Sequence, residues 1–166
     1  MGRHGRQRRP GLLRALGGVS ARPLSRYRPA VILWDTGPLL AAFDRADRHH
    51  AASADLISHT PPPLLVPAPV LTEVCYFLQE RVGSAAEAAF LRSAAAREIL
   101  LLHPEPADLD RAADLVDQYA SFPLGAVDAC VLAMAERLKI TRIASVDHRH
   151  FYAVKLRHCD GLELLP

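Results

Sequence analysis

The chain has 166 residues, half of them apolar and 23% charged, with a formal net charge of +2. That balance excludes wholesale disorder and a fibrous protein, and folding at this length buries roughly 70% of the chain's surface, enough for a core without staples. No apolar run approaches the ~20 residues of a membrane-spanning helix; the longest, Leu124 to Ala135, is interrupted by Asp128.

The charge is unevenly spread. Residues 1–29 hold eight arginines and no acid, while the remaining residues hold twelve bases and all eighteen acids, a net of −6. The leader is rich in glycine and proline and is expected to be a solvated basic tail outside the folded unit. A nonspecific RNA-binding arm, an organellar transit peptide and residues upstream of the true start codon are the other readings. Cys75, Cys130 and Cys159 are odd in number and far apart, and Cys75 and Cys130 sit beside apolar residues. They predict buried free thiols in a reducing compartment, the cytoplasm, rather than disulfides or a zinc site.

From Ala30 onward short apolar runs alternate with helical patterns. Val31–Trp34 predicts a buried strand. Thr36-Gly-Pro opens a helix to about Phe43, with Pro38 tolerated in its first turn. Asp47 to Ser58 is a second helical stretch, and Pro61-Pro-Pro breaks the chain. Leu64–Val66 is the next strand. Pro69 occupies the first turn of a helix reaching Arg81, with Val70, Val74, Phe77 and Leu78 at helical spacing. Gly83 ends it, and Ser84 is expected to cap a helix through Arg97. Ile99–Leu102 is a third strand, followed by a helix from Pro106 to Tyr119 with Leu109, Ala112, Ala113 and Val116 on its core face. Ala126 to Leu138 is a further helix, Arg142–Val146 a fourth strand and Leu162–Leu165 a short fifth. No internal repeat is present. Strands alternating with helices predict one α/β domain over 30–166, a mainly parallel sheet with helices on both faces.

Most acids, such as Glu105, Asp108, Asp110, Asp114 and Asp117, lie in polar stretches that predict a solvated helix face. Four differ. Asp35 follows Val-Ile-Leu-Trp, Glu73 sits inside Val-Leu-Thr-Glu-Val-Cys-Tyr-Phe-Leu, Asp128 inside Gly-Ala-Val-Asp-Ala-Cys-Val-Leu-Ala-Met, and Asp147 follows Ile-Ala-Ser-Val. A carboxylate among core-forming residues costs several kcal/mol unless it is paired or metal-bound, and no base lies near Asp35, Glu73 or Asp128 in sequence. Asp35 and Asp147 directly follow predicted strands, and Glu73 and Asp128 lie near helix starts. In an open α/β sheet these positions share the edge where ligands bind. A helix cap explains Asp128 alone and a turn explains Asp147 alone; neither explains the four together. Crowded carboxylates repel, and all-oxygen ligands without histidine or thiolate favour Mg²⁺ or Mn²⁺. Such a site activates water and clamps phosphodiester oxygens.

The segment VILWDTGPLLAAFDRADRHH, the TEV of PVLTEVCYFL, the segment PLGAVDACVLAMAERL, and SVDHRHF closing on LELLP together resemble the PIN domain, and more closely the VapC-type toxins of bacterial toxin–antitoxin pairs. The likeness covers about residues 31–166. It implies a PIN fold, a Mg²⁺- or Mn²⁺-dependent endoribonuclease, a small cognate antitoxin and a homodimer or toxin–antitoxin hetero-oligomer. By the same likeness Asp35 and Asp128 are the primary metal ligands, Glu73 and Asp147 complete the cluster, and Thr36 orients Asp35 or a metal-bound water. Ser145 stands where the family commonly has threonine, and His148 where it commonly has arginine. Arg149 and His148 are candidate RNA contacts, and a solvated turn is the other reading of the His148-Arg149-His150 stretch. His49 and His50 are expected at the surface. Two other functions fit the same acids: a PIN-like binding module without turnover, and a structure-specific DNA nuclease.

Overall fold

The computed structural model describes residues 31–122 and 124–166; the basic leader and the expectations attached to it lie outside the described residues. Five strands, β1 (Ile32–Trp34), β2 (Leu64–Pro67), β3 (Ile99–Leu102), β4 (Arg142–Ala144) and β5 (Glu163–Leu165), form one sheet in the order β3-β2-β1-β4-β5. Every pairing is parallel, with Trp34 opposite Ala144 and Leu33 opposite Leu65. The intervening helices are α1 (Thr36–Phe43), α2 (His50–His59), α3 (Ala68–Arg81), α4 (Ser84–Ala95), α5 (Pro106–Gln118), α6 (Ala126–Leu138) and α7 (His148–Ala153). No helix among the described residues is long and apolar enough to cross a membrane.

Successive residues of a strand face opposite sides of a sheet. Leu33 and Trp34 in β1, and Ile143 and Ala144 in β4, are all fully buried, so both faces of the sheet centre are covered, as an all-parallel sheet requires. The apolar stripe Val70, Val74 and Leu78 of α3 is buried with them, and α6 is buried from Ala129 to Glu136. The chain builds β1 to β3 outward on one side and then returns to place β4 on the other side of β1. That reversal opens a crevice at the carboxyl ends of β1 and β4.

Several expectations need correction. Ser84 is the first helical residue of α4 and not its cap. Gly83 takes that place with a φ of 112°, a left-handed conformation glycine adopts without a Cβ penalty, and its N–H also closes α3 on the Leu78 carbonyl at 2.8 Å. The core face of α5 is Asp108, Ala112 and Leu115, whereas Leu109 and Val116 are exposed. Asp108 is therefore not solvated: Arg137 and the Glu105 N–H both donate to its carboxylate. A propensity argument misses this because the partner sits 29 residues later, on α6. The stretch after Asp147 is a short helix, α7, and not only a turn. Of the three thiols, which are all free, only Cys130 is buried; Cys75 and Cys159 are half-buried.

Candidate active site

Asp35 directly follows β1, and its backbone N–H donates to the Ala144 carbonyl of β4 at 2.9 Å. This fixes it in the crevice between the two strands. Its side chain is buried, and Ser145 Oγ donates to Oδ2 at 2.8 Å. The same Ser145 oxygen accepts the Asp147 N–H at 3.1 Å. Two hydrogen bonds in series thus tie the end of β4 to the carboxylate that follows β1. Asp35 Oδ1 is also buried and has no partner. A buried carboxylate oxygen without a donor is costly, and it is the feature that a cation facing the crevice would satisfy.

The other three acids surround this floor. Asp128 is the third residue of α6, and Glu73 lies in the second turn of α3. Asp147 caps α7 by accepting the His150 N–H at 3.2 Å and is 44% exposed at its side chain, against 22% for Asp128 and 4% for Asp35 as a whole. The acids therefore form a gradient from floor to mouth. Asp35 has its pKa raised to about 6 by burial, opposed by the hydrogen bond from Ser145 and by the nearby Thr36 N–H, and reinforced by the charges of Glu73 and Asp147. Asp128 is pushed up to about 7 by burial and then by the charges of Asp35 and Asp147, with Glu73 adding and His150 opposing. The charges of Glu73 and Asp147 thus reach both Asp35 and Asp128 across a shared space. Among the described residues no three His, Cys, Asp or Glu side chains are gathered at the spacing of a metal cage. The acids line the crevice without closing on a single point.

The Thr36 hydroxyl, expected to orient Asp35 or a metal-bound water, makes no hydrogen bond to Asp35. It donates to Glu73 Oε2, so it holds the glutamate of α3 against the start of α1. The hydroxyl that holds Asp35 is that of Ser145. Its position between an apolar strand and Asp147 was a usable signal, because a hydroxyl at a strand end reaches the neighbouring strand's end in a parallel sheet. His50 is not a plain surface residue either: its Nδ1 contacts the Ala41 carbonyl at 2.8 Å and ties α2 to α1. His150 Nδ1 lies 2.7 Å from Asp147 Oδ2 and 3.9 Å from Asp128 Oδ2. The nitrogen is near Asp147 without hydrogen-bond alignment, so the contact is electrostatic. His148 and Arg149 stand exposed beside Asp147, and the Arg149 guanidinium lies 5.1 Å over the Phe122 ring.

Gly37 makes this assembly possible. A Cβ there would lie 2.4 Å from Val146 Cγ2, between Ser145 and Asp147. A β-branched side chain has little rotameric escape. Gly37→Ala is therefore expected to cost about 1–3 kcal/mol and to displace the Ser145–Asp147 segment. Denaturant titration and an RNA cleavage assay check this, with recovery in the Gly37→Ala/Val146→Ala pair as the diagnostic.

The PIN domain family profile matches residues 32–156. Ribonuclease VapC26 of Mycobacterium tuberculosis is 36% identical over 121 residues, covering 73% of this chain and 90% of its own. The crystal structure of Mycobacterium tuberculosis VapC20, described as a sarcin–ricin loop cleaving toxin, superposes with a TM-score of 0.65 at 21% identity. It covers 78% of this chain and 98% of its own, and at that identity the likeness shows the fold. A parallel sheet with four acids at its switch point, a profile match over three-quarters of the chain and a close VapC relative give one conclusion: the chain belongs to the PIN-domain family, in its VapC-type branch.

Proposed function

We propose that this protein is a metal-dependent endoribonuclease acting as the toxin of a toxin–antitoxin pair in the cytoplasm. The observation that carries the reading is the orphaned Asp35 Oδ1 at the floor of a crevice ringed by Glu73, Asp128 and Asp147. The naming of VapC26 as a ribonuclease supports RNA as the substrate. The donor set is all oxygen, which suits Mg²⁺ or Mn²⁺, and Asp35 and Asp128 would be the primary ligands with Glu73 and Asp147 completing the set. When bound, the ion supplies Lewis-acid polarisation of the scissile phosphate and a water of lowered pKa.

The protein's own residues do the rest. Ser145 holds Oδ2 of Asp35, which leaves Oδ1 turned to the crevice. Thr36 holds Glu73 away from solvent-driven rotation. The Asp147 N–H bond to Ser145 fixes the mouth of the crevice to its floor. Buried hydroxyl donors of this kind preorganise charged groups before substrate arrives, so little reorganisation is left for the reacting complex. Residues 1–29 are read as a basic arm outside the catalytic unit 30–166. An acidic crevice in a body of net −6 fits an antitoxin that presents a basic side chain to it.

The test is cleavage of single-stranded RNA with Mg²⁺, Mn²⁺, Ca²⁺ or excess EDTA. Mg²⁺ or Mn²⁺ is expected to support cleavage and to raise the melting temperature, because a ligand bound only by the native state stabilises it. Ca²⁺ is expected to bind with little turnover. Full activity in EDTA refutes the metal reading. Flap DNA cut in preference to RNA, under the same ions, gives the function to a DNA nuclease instead.

A further inference from the structure

An open cleft of about 830 Å³ runs away from Asp147, between the turn that precedes α2 and the start of α7. Arg48 and His49 line it from the turn before α2, and Val146, Asp147, His148 and Arg149 from the end of β4 and the start of α7. We propose that this cleft seats the phosphate backbone of single-stranded RNA next to the bond to be cut, with Arg48 and Arg149 as its two phosphate contacts. The proposal rests on the ribonuclease reading and adds to it the path of the substrate.

The charge pattern points to this use. A polyanion approaching four carboxylates needs compensating cations at the crevice's edge. Arg111, Arg137, Arg142 and Arg157 are engaged with carboxylates. Arg48 and Arg149 have no carboxylate at ion-pair distance among the described residues. Both are nevertheless held in place. Arg48 Nε donates to His49 Nε2 at 2.9 Å, which leaves its terminal nitrogens for another acceptor. The guanidinium of Arg149 is stacked over Phe122, whose ring meets His150 edge-on at 4.9 Å. A planar cation held on an aromatic face loses less freedom when it binds a phosphate. Asp47 also lines the cleft, but one of its oxygens accepts the His49 N–H at 2.7 Å.

The shape favours a strand over a small molecule. The cleft is wide open to solvent rather than an enclosed cavity, and charged and imidazole side chains stand along it. At its side His148 meets Tyr152 edge-on at 5.8 Å, and Tyr152 is exposed. Cationic side chains beside an exposed aromatic ring suit a single strand, whose phosphates pair with the cations and whose bases stack.

Three variants of the full chain, Arg48→Ala, Arg149→Ala and Arg92→Ala, test the proposal. Arg92 is an exposed arginine of α4, beyond the far edge of the sheet, and controls for the loss of one charge. Michaelis kinetics on single-stranded RNA with Mn²⁺ are expected to show KM raised several-fold for the two cleft variants, with kcat within about twofold of wild type. RNA binding in EDTA is expected to lose about 0.7 of salt slope for each cleft arginine removed. Arg92→Ala moves neither quantity. Unchanged KM and slope in a wild type that cleaves RNA overturn the cleft assignment and leave the ribonuclease reading intact. A wild type that binds RNA but cleaves none with any divalent ion overturns that reading, while the salt slopes still decide the cleft. Variants that keep RNA binding but lose neutralisation by a co-purified protein partner give the cleft to that partner and also overturn the proposal.

Discussion

Asp35→Asn is expected to abolish RNA cleavage and, at the same time, to stabilise the metal-free protein above neutral pH. Asparagine keeps the shape of the side chain and still accepts the Ser145 hydrogen bond, so the fold has no reason to change. What is removed is a charge that is buried among three others. The pKa of Asp35, raised to about 6, and that of Asp128, raised to about 7, give the sign. An acid whose pKa is higher folded than unfolded contributes stability below its unfolded value of about 3.9 and loses it as pH rises. The metal-free wild type should therefore lose stability between about pH 4 and pH 7, by an amount on the order of 3 kcal/mol for Asp35. Asp35→Asn should flatten that loss, and Asp128→Asn should flatten the part extending to pH 7. Thermal melts in EDTA at pH 4.5 and pH 8 measure the difference, which is expected to favour the variants only at the higher pH. Addition of Mn²⁺ should then raise the melting temperature of wild type and leave the variants nearly unmoved. Cleavage at the wild-type rate by either variant, or a variant less stable than wild type at pH 8 in EDTA, contradicts the site.

Glu136→Ala is expected to be the most destabilising single change outside the apolar core. Glu136 is buried on α6 and accepts Arg111 Nε at 2.8 Å, Arg111 Nη2 at 3.0 Å and the Arg157 N–H at 2.8 Å. Burial by itself would raise its pKa; the hydrogen bonds and charges of Arg111 and Arg157 outweigh that and leave it lowered. Removing the carboxylate takes from the Arg111 guanidinium, whose side chain is 11% exposed, its hydrogen-bonded partner and leaves only the lesser influence of Asp114. Breaking one side of a buried pair costs about 3–5 kcal/mol. For a chain of this size that is a fall in melting temperature on the order of 10 °C. Replacing both partners by apolar residues, as in Arg111→Met/Glu136→Leu, should recover most of the loss, because no charge is then left unpaired. Because α6 also carries Asp128, cleavage by Glu136→Ala should fall as the helix loosens. A loss under about 1 kcal/mol for the single variant would mean that water reaches Arg111 and that the pair is effectively a surface one.

The local pattern of the chain determined most of the elements. Apolar runs of four residues and helical stripes such as Val70, Val74 and Leu78 carry their own burial, because each is a periodic match to one face of one element. The four acids stood out for a related reason: a carboxylate directly after Val-Ile-Leu-Trp, or just before Val-Cys-Tyr-Phe, is placed by its neighbours against the core. The tertiary structure decided what the acids touch. Thr36 precedes Glu73 by 37 residues and Ser145 follows Asp35 by 110, and these contacts exist only because β1, β4 and α3 meet at the switch point of the sheet. It also decided that Asp108 and Glu136 are buried. Each has its guanidinium on the opposing helix, and the α5 stripe therefore turns away from Leu109 and Val116 toward a charged residue. Periodicity reports which residues can share a face. The energy of a buried charge is set by a partner brought close through space, and that partner is fixed only once the helices are packed.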